Sequence, residues 1–185
     1  MPTELAYRDD GDRTLETVNS DHPLPIRSVD ALQIGRTLDS GYRLVPGIVT
    51  GAAYQDGDAF GTTITFPGMV RTEVGSGQLY SATYLDLDDE GLQLDLHLFR
   101  APPTYTPTDN AAYSPTDNDM LNYIGTVTFA SFSNFGANQV SVGTFSPIAF
   151  TSDTDANLYG QCVTRGAPTI ADGNLPRIRL VVLAD

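Results

Sequence analysis

The stretch Gly91-Leu-Gln-Leu-Asp-Leu-His-Leu-Phe-Arg100 places Leu92, Leu94, Leu96 and Leu98 at every second position, with Gln93, Asp95 and His97 between them. Side chains along a strand point alternately to opposite faces, so this spacing predicts a β-strand with one face in a core and the other toward water or a partner. Burying four leucines at ~1.5–3 kcal/mol each gives ~6–12 kcal/mol of gross driving force. That is comparable to the net stability of a whole domain, so the strand is expected at the centre of a sheet.

From Tyr42 onward the chain repeats this kind of signal in short runs separated by Gly, Pro, Asn and Asp. Tyr42–Val49 is broken by Pro46, which suits an edge. Ala59–Phe66 sets Phe60, Ile64 and Phe66 on one parity and stops at Pro67-Gly68. Gln78–Leu87 reaches Asp88-Asp-Glu-Gly91, whose turn chemistry predicts a hairpin with the leucine strand. Further strands are expected over 125–132, 139–150, 157–165 and 176–183. Eight or nine strands fit an all-β, antiparallel two-sheet sandwich of jelly-roll-like kind better than a small barrel, although periodicity does not separate the two. The sandwich is assigned to residues 42–185.

Residues 1–41 have a different character. Thr3–Asp21 shows no sustained period, and His22-Pro23-Leu24-Pro25 imposes an extended backbone around two prolines. Apolar residues are nonetheless spaced along the segment, Leu24, Ile26, Val29, Leu32 and Ile34 among them. The segment reads as an extended N-terminal arm that docks on its own or a neighbouring subunit. Leu24, Ile26, Val29, Leu32 and Ile34, with Arg8, Arg13, Arg27 and Arg36, are its candidate interface residues.

Charge narrows the partners. The chain of 185 residues has 23 acidic and 10 basic side chains, every basic one an Arg, for a net charge of −13. Such a balance repels phosphate backbones, so nucleic acid is not an expected partner. Arg without Lys is what genomic base composition can produce, and Arg is also the better residue for bidentate pairing at interfaces. No run approaches a membrane span, and the first ten residues lack the apolar region of a secretory signal; a soluble protein without a membrane partner is expected. Cys162 alone excludes an intrachain disulfide and reads as a small buried hydrophobe.

After Arg100 the sequence turns to Thr, Pro and Asp, and Pro-Thr-Asp-Asn occurs at 107–110 and again at 115–118. Each copy reads as a turn able to cap a helix. A short helix is expected to start at Asp117 or Asn118 and to end at Gly125. Asp109, Asp117 and Asp119 could supply oxygen ligands to Ca²⁺, as could Asp86, Asp88, Asp89 and Glu90, but no EF-hand frame surrounds either set and turn-making is the default. His22 and His97 are too few for a histidine-built metal centre. No Gly-x-Ser-x-Gly elbow or Gly-x-x-x-x-Gly-Lys loop is present, and His97 reads as a surface or interface strand residue. The expectation is a protein that is not an enzyme and has no cofactor or catalytic residue.

The run from Tyr54 to Asp185 resembles a family of tailed-bacteriophage virion structural proteins that includes capsid decoration, or cement, proteins. The resemblance is carried by Ala53–Gly61, Leu94–Phe99, Ala101–Thr104, Thr108–Ala112, Asp117–Asp119 with Ile124-Gly125, and Leu158-Tyr159 leading to Thr164–Thr169. Pro23-Leu-Pro-Ile26 is similar to an element upstream in related virion proteins. The resemblance implies a protein made in the host cytoplasm that coats the outside of the virion's capsid, often as a homotrimer, and adds contacts to the major capsid protein. A tail- or fibre-associated sandwich that binds a host receptor through loop 101–118 is the alternative, and a carbohydrate-active enzyme the third reading.

Overall fold

The computed structural model describes residues 35–49, 51, 53–168, 170 and 175–185, and the backbone of residues 6–8 and 15–17. The chain divides into two units, Met1–Ile34 and Gly35–Asp185. In the first, β1 (Ala6–Arg8) and β2 (Leu15–Thr17) pair antiparallel, with Arg8 opposite Leu15.

The second unit is an antiparallel β-sandwich of a seven-stranded and a four-stranded sheet. The larger sheet runs β3 (Arg36–Asp39), β13 (Arg177–Ala184), β6 (Ser76–Asp86), β10 (Gln139–Val142), β9 (Phe132–Asn134); β4 (Arg43–Leu44) also pairs with β13, and β11 (Ala149–Thr151) with β6. The smaller runs β5 (Ala59–Phe66), β12 (Leu158–Thr164), β7 (Leu94–Phe99), β8 (Tyr123–Phe129). The leucine strand, β7, is therefore interior, as its apolar content predicts. Leu94, Leu96 and Leu98 are fully buried, in one core cluster with Ile178, Leu180 and Val182 of β13 and Ala82 and Tyr84 of β6.

Short strands account for the larger strand number. Run 139–150 splits into β10 and β11, and β3, inside the segment assigned to the arm, pairs with β13 so that Arg36 lies opposite Ala184. Leu38 of β3 packs partly buried against the core, which ties this piece to the sandwich. β4, next to Pro46, lies outside β13, in keeping with a strand that a proline excludes from a central ladder.

Three local expectations are corrected. β6 and β7 do not form a hairpin, because they belong to different sheets and the turn between them carries the chain across the sandwich. Asp86 makes the reversal by accepting from Asp88 N at 3.1 Å and Gly91 N at 2.8 Å. Turn chemistry specifies the reversal but not the sheet in which the next strand finds a partner, and β13 and β10 already flank β6. The helix is a single turn, α1 (Asp117–Met120), capped by Thr116, and Gly125 lies inside β8 instead of ending it. A Cβ on Gly125 would lie 2.7 Å from Ile148 Cδ1, so glycine there answers to packing. Finally, the second face of β7 is not open to water: Asp95 and Phe99 are buried and His97 is half-buried.

Candidate functional site

The outer face of β7 is covered by the Thr/Pro/Asp-rich loop between Arg100 and β8, and the Pro-Thr-Asp-Asn repeat explains how. Asp109, from the first copy, accepts hydrogen bonds from Val49 N at 2.8 Å, Gly61 N at 2.6 Å and Tyr54 Oη at 2.8 Å. Next to it, Asn110 N donates to Ala59 O at 2.9 Å, and Ala59 N donates to Ala111 O at 2.8 Å. Tyr113 N reaches Gly57 O at 3.1 Å. The loop is thus stitched to β5 and to the segment before it. Asn110 sits at φ +60°, the left-handed region that Asn tolerates better than most residues.

The second copy closes on itself. Thr116 and Asp119 form a reciprocal capping box, in which Asp119 N donates to Thr116 Oγ1 and the Asp119 carboxylate accepts from Thr116 N at 3.2 Å and Thr116 Oγ1 at 2.8 Å. The same carboxylate accepts from Thr104 N at 2.6 Å, Thr104 Oγ1 at 2.8 Å and Tyr105 N at 3.2 Å. Burial alone pushes this carboxyl up, but the donors of Thr104 and Thr116 outweigh it and hold Asp119 well below the usual carboxylate range.

These bonds decide what the candidate cation ligands do. Asp109 and Asp119 each bind a separate set of protein donors, and Asp86 holds its own turn. Asp89 Oδ1 accepts from Asn134 Nδ2 at 2.6 Å and from Gln139 Nε2. Among the described residues, no three His, Cys, Asp or Glu side chains converge in a group that could hold a metal ion.

On β7, Asp95 accepts from Thr128 Oγ1 at 2.7 Å and from Arg165, whose Nε is 2.7 Å away and whose Nη2 also binds. A buried carboxylate in a leucine strand requires a donor of this kind, and Arg165 sits just beyond the neighbouring strand β12. Cys162, on β12, is buried in the core, and burial pushes its thiol up, as befits a packing residue.

His97 belongs to an aromatic cluster. Its ring stacks on Tyr113 with centroids 5.6 Å apart and is tilted to Tyr123 at 6.2 Å, while Phe99 meets Tyr123 edge-on at 5.9 Å. His97 Nδ1 shares a hydrogen bond with Thr126 Oγ1 at 2.7 Å, and the same hydroxyl bonds Tyr123 Oη at 2.6 Å. Desolvation lowers the imidazole pKa, which favours the neutral ring. His97, Phe99, Tyr113, Pro115, Met120 and Tyr123 line a cavity of about 290 Å³. Tyr113 Oη is buried without a hydrogen-bond partner, and Met120 and Tyr123 of the cavity lining remain partly exposed.

Sequence reasoning placed His97 on a strand but missed this cavity, whose rings come from segments up to 26 positions apart. The one local signal is the apolar group Met120, Leu121, Tyr123 following a cap in an otherwise polar loop. Of the nine candidate interface residues, Arg36 is exposed at the start of edge strand β3, and Arg8 lies in β1, where only the backbone is described. Arg13, Leu24, Ile26, Arg27, Val29, Leu32 and Ile34 lie outside the described residues. In comparisons with known proteins, the chain matches no family model, no curated protein and no solved structure.

Proposed function

We propose that this chain is a virion structural protein that decorates a bacteriophage capsid on its outer surface and cements the lattice of the major capsid protein. The observation that supports it best is the use made of three carboxylates. Asp95 and Asp109 tie neighbouring segments to the sandwich strands, and Asp119 closes the long loop on itself, which suits a rigid structural unit better than a catalyst. The sequence resemblance points the same way.

In this reading the chain has no enzymatic role, and the N-terminal segment 1–34, with Arg36 on edge strand β3, makes the contacts with the shell and with sister subunits. Exposed Arg–carboxylate pairs contribute only ~0–1 kcal/mol each, so Arg8, Arg13, Arg27 and Arg36 set register more than affinity. Leu24, Ile26, Val29, Leu32 and Ile34 supply the larger part, at up to ~1.5–3 kcal/mol gross for each side chain fully buried. A homotrimer multiplies that affinity, because the second and third arms bind at a high effective concentration once the first is engaged. The net charge of −13 keeps decorated particles apart.

The test is to add purified chain to heads that lack it. Saturable binding at lattice stoichiometry is expected, with loss of binding when residues 1–34 are deleted, a cut that leaves β3 in the sheet; unchanged binding of the deleted chain would remove the arm from the account. A tail- or fibre-associated role in host recognition is the second reading. It is favoured by the aromatic cavity under loop 101–118, and it would place the chain in few copies per particle.

A further inference from the structure

We infer that the aromatic cavity over His97 is a docking site for a proline-bearing extended segment, and that its occupant is Pro23-Leu24-Pro25 from the arm of a second copy of this chain. The inference does not rest on the capsid reading and is tested without particles.

The cavity has the chemistry of a proline site. Tyr113 and Tyr123 contribute aromatic rings to its lining, and Met120 and Pro115 add apolar surface. At about 290 Å³ it lies at the lower limit of the ~300–1,000 Å³ of small-molecule sites, which suits one or two side chains. Prolines in an extended backbone pack on such faces at small entropic cost because their φ is already fixed. Recognition of that kind also needs a donor for a peptide carbonyl, since prolines leave acceptors without donors. We assign that role to Tyr113 Oη, buried and unpartnered on a residue that lines the cavity. Burial, reinforced by the charge of Asp119, raises its pKa and keeps the proton in place. A sugar ring would bring several hydroxyls to walls with almost no polar groups, so a peptide is the better fit.

The chain carries one Pro-x-Pro segment, His22-Pro23-Leu24-Pro25, outside the described residues. The next residues fit by charge: His22–Val29 contains Arg27 and no acid, while α1, which contributes Met120 to the cavity, carries exposed Asp117. The sandwich begins at Gly35, which lines a neighbouring cleft of about 690 Å³ that shares Tyr123 with the aromatic cavity. Ten residues from Pro25 to Gly35 span up to ~33–36 Å when extended, enough to cross to an adjoining copy. Each copy offers one arm and one cavity, so reciprocal or cyclic exchange leaves none unfilled.

The experiment uses the full chain. One population carries Leu24→Cys with a nitroxide label, Cys162 being buried and unreactive; it is mixed with unlabelled-spin, ¹⁵N-enriched chain. Intermolecular broadening of the amides of Tyr113, Met120 and Tyr123 is expected, together with a mass above the monomer in sedimentation equilibrium. The double substitution Pro23→Ala/Pro25→Ala, outside the sandwich, should weaken self-association at least ten-fold while leaving the sandwich spectrum unchanged. Met120→Lys, at an exposed position, should do the same. A monomer at all concentrations would overturn the inference. So would broadening seen only when label and ¹⁵N share a chain, or self-association indifferent to both substitutions.

Discussion

Asp109 Oδ1 accepts a hydrogen bond from Gly61 N at 2.6 Å, joining the first Pro-Thr-Asp-Asn turn to the middle of β5. Val49 N and Tyr54 Oη meet the same carboxylate, so one side chain fastens three segments. Asp109→Ala is expected to destabilise the sandwich by ~2–4 kcal/mol, since bonds to a charged acceptor contribute ~1.5–3 kcal/mol and their donors are left unsatisfied. Urea denaturation measures this. Asp109→Asn should recover part of the loss, because an amide oxygen still accepts.

Gly61 itself has φ +67°, and a Cβ there would lie 2.4 Å from Pro46 O. Left-handed backbone costs a non-glycine residue ~1–2 kcal/mol, and overpacking against fixed backbone adds ~1–3 kcal/mol. Gly61→Ala should therefore cost about 2–5 kcal/mol by the same denaturation assay, more than Gly57→Ala, where no atom lies within 4 Å of the added methyl.

Asp119 links stability to acid. Its folded pKa is depressed below the unfolded value of ~3.9, so the folded state binds fewer protons and stability rises with pH across that interval. The contribution is complete above the unfolded pKa and is lost as pH falls through the folded one. Asp119→Asn should lower stability at pH 7 by ~2 kcal/mol and flatten the decline of melting temperature below pH 4. A mutant as acid-sensitive as the parent would contradict this.

His97 works through burial at a different pH. Desolvation depresses its pKa below the unfolded ~6.5, so protonation favours the unfolded chain and stability falls as pH drops from 6.5 through the folded pKa. Melting temperature measured from pH 7.5 to 5.5 should decline in the parent and decline less in His97→Gln. Gln retains a hydrogen-bonding end for Thr126 but does not titrate.

The sandwich was legible where burial alone sets the pattern. Leu94, Leu96 and Leu98 on β7 and Ile178, Leu180 and Val182 on β13 alternate cleanly and are all buried. β6 was harder to read because its parity changes. Val181 pairs with Ser81 and Val182 with Leu79, so Tyr80 is an extra residue at a bulge, and buried positions shift from Leu79 to Ala82 and Tyr84. The turn at Asp88–Gly91 was legible as a reversal but not as a crossing between sheets, since local chemistry carries no information about remote partners. The same limit hid the cavity. The capping of α1 follows from local sequence, whereas Tyr113 meets His97 through a loop that Asp109, Asn110, Ala111 and Tyr113 fasten to β5 and the segment before it, partners that lie about fifty positions away.

The central claim is best tested by the copy number of this chain in purified particles, measured by quantitative mass spectrometry against the major shell protein. A ratio near one, or a simple fraction such as one trimer per few shell subunits, is the result expected of a lattice-covering decoration protein. A handful of copies per particle would contradict it and move the chain to the tail or fibre.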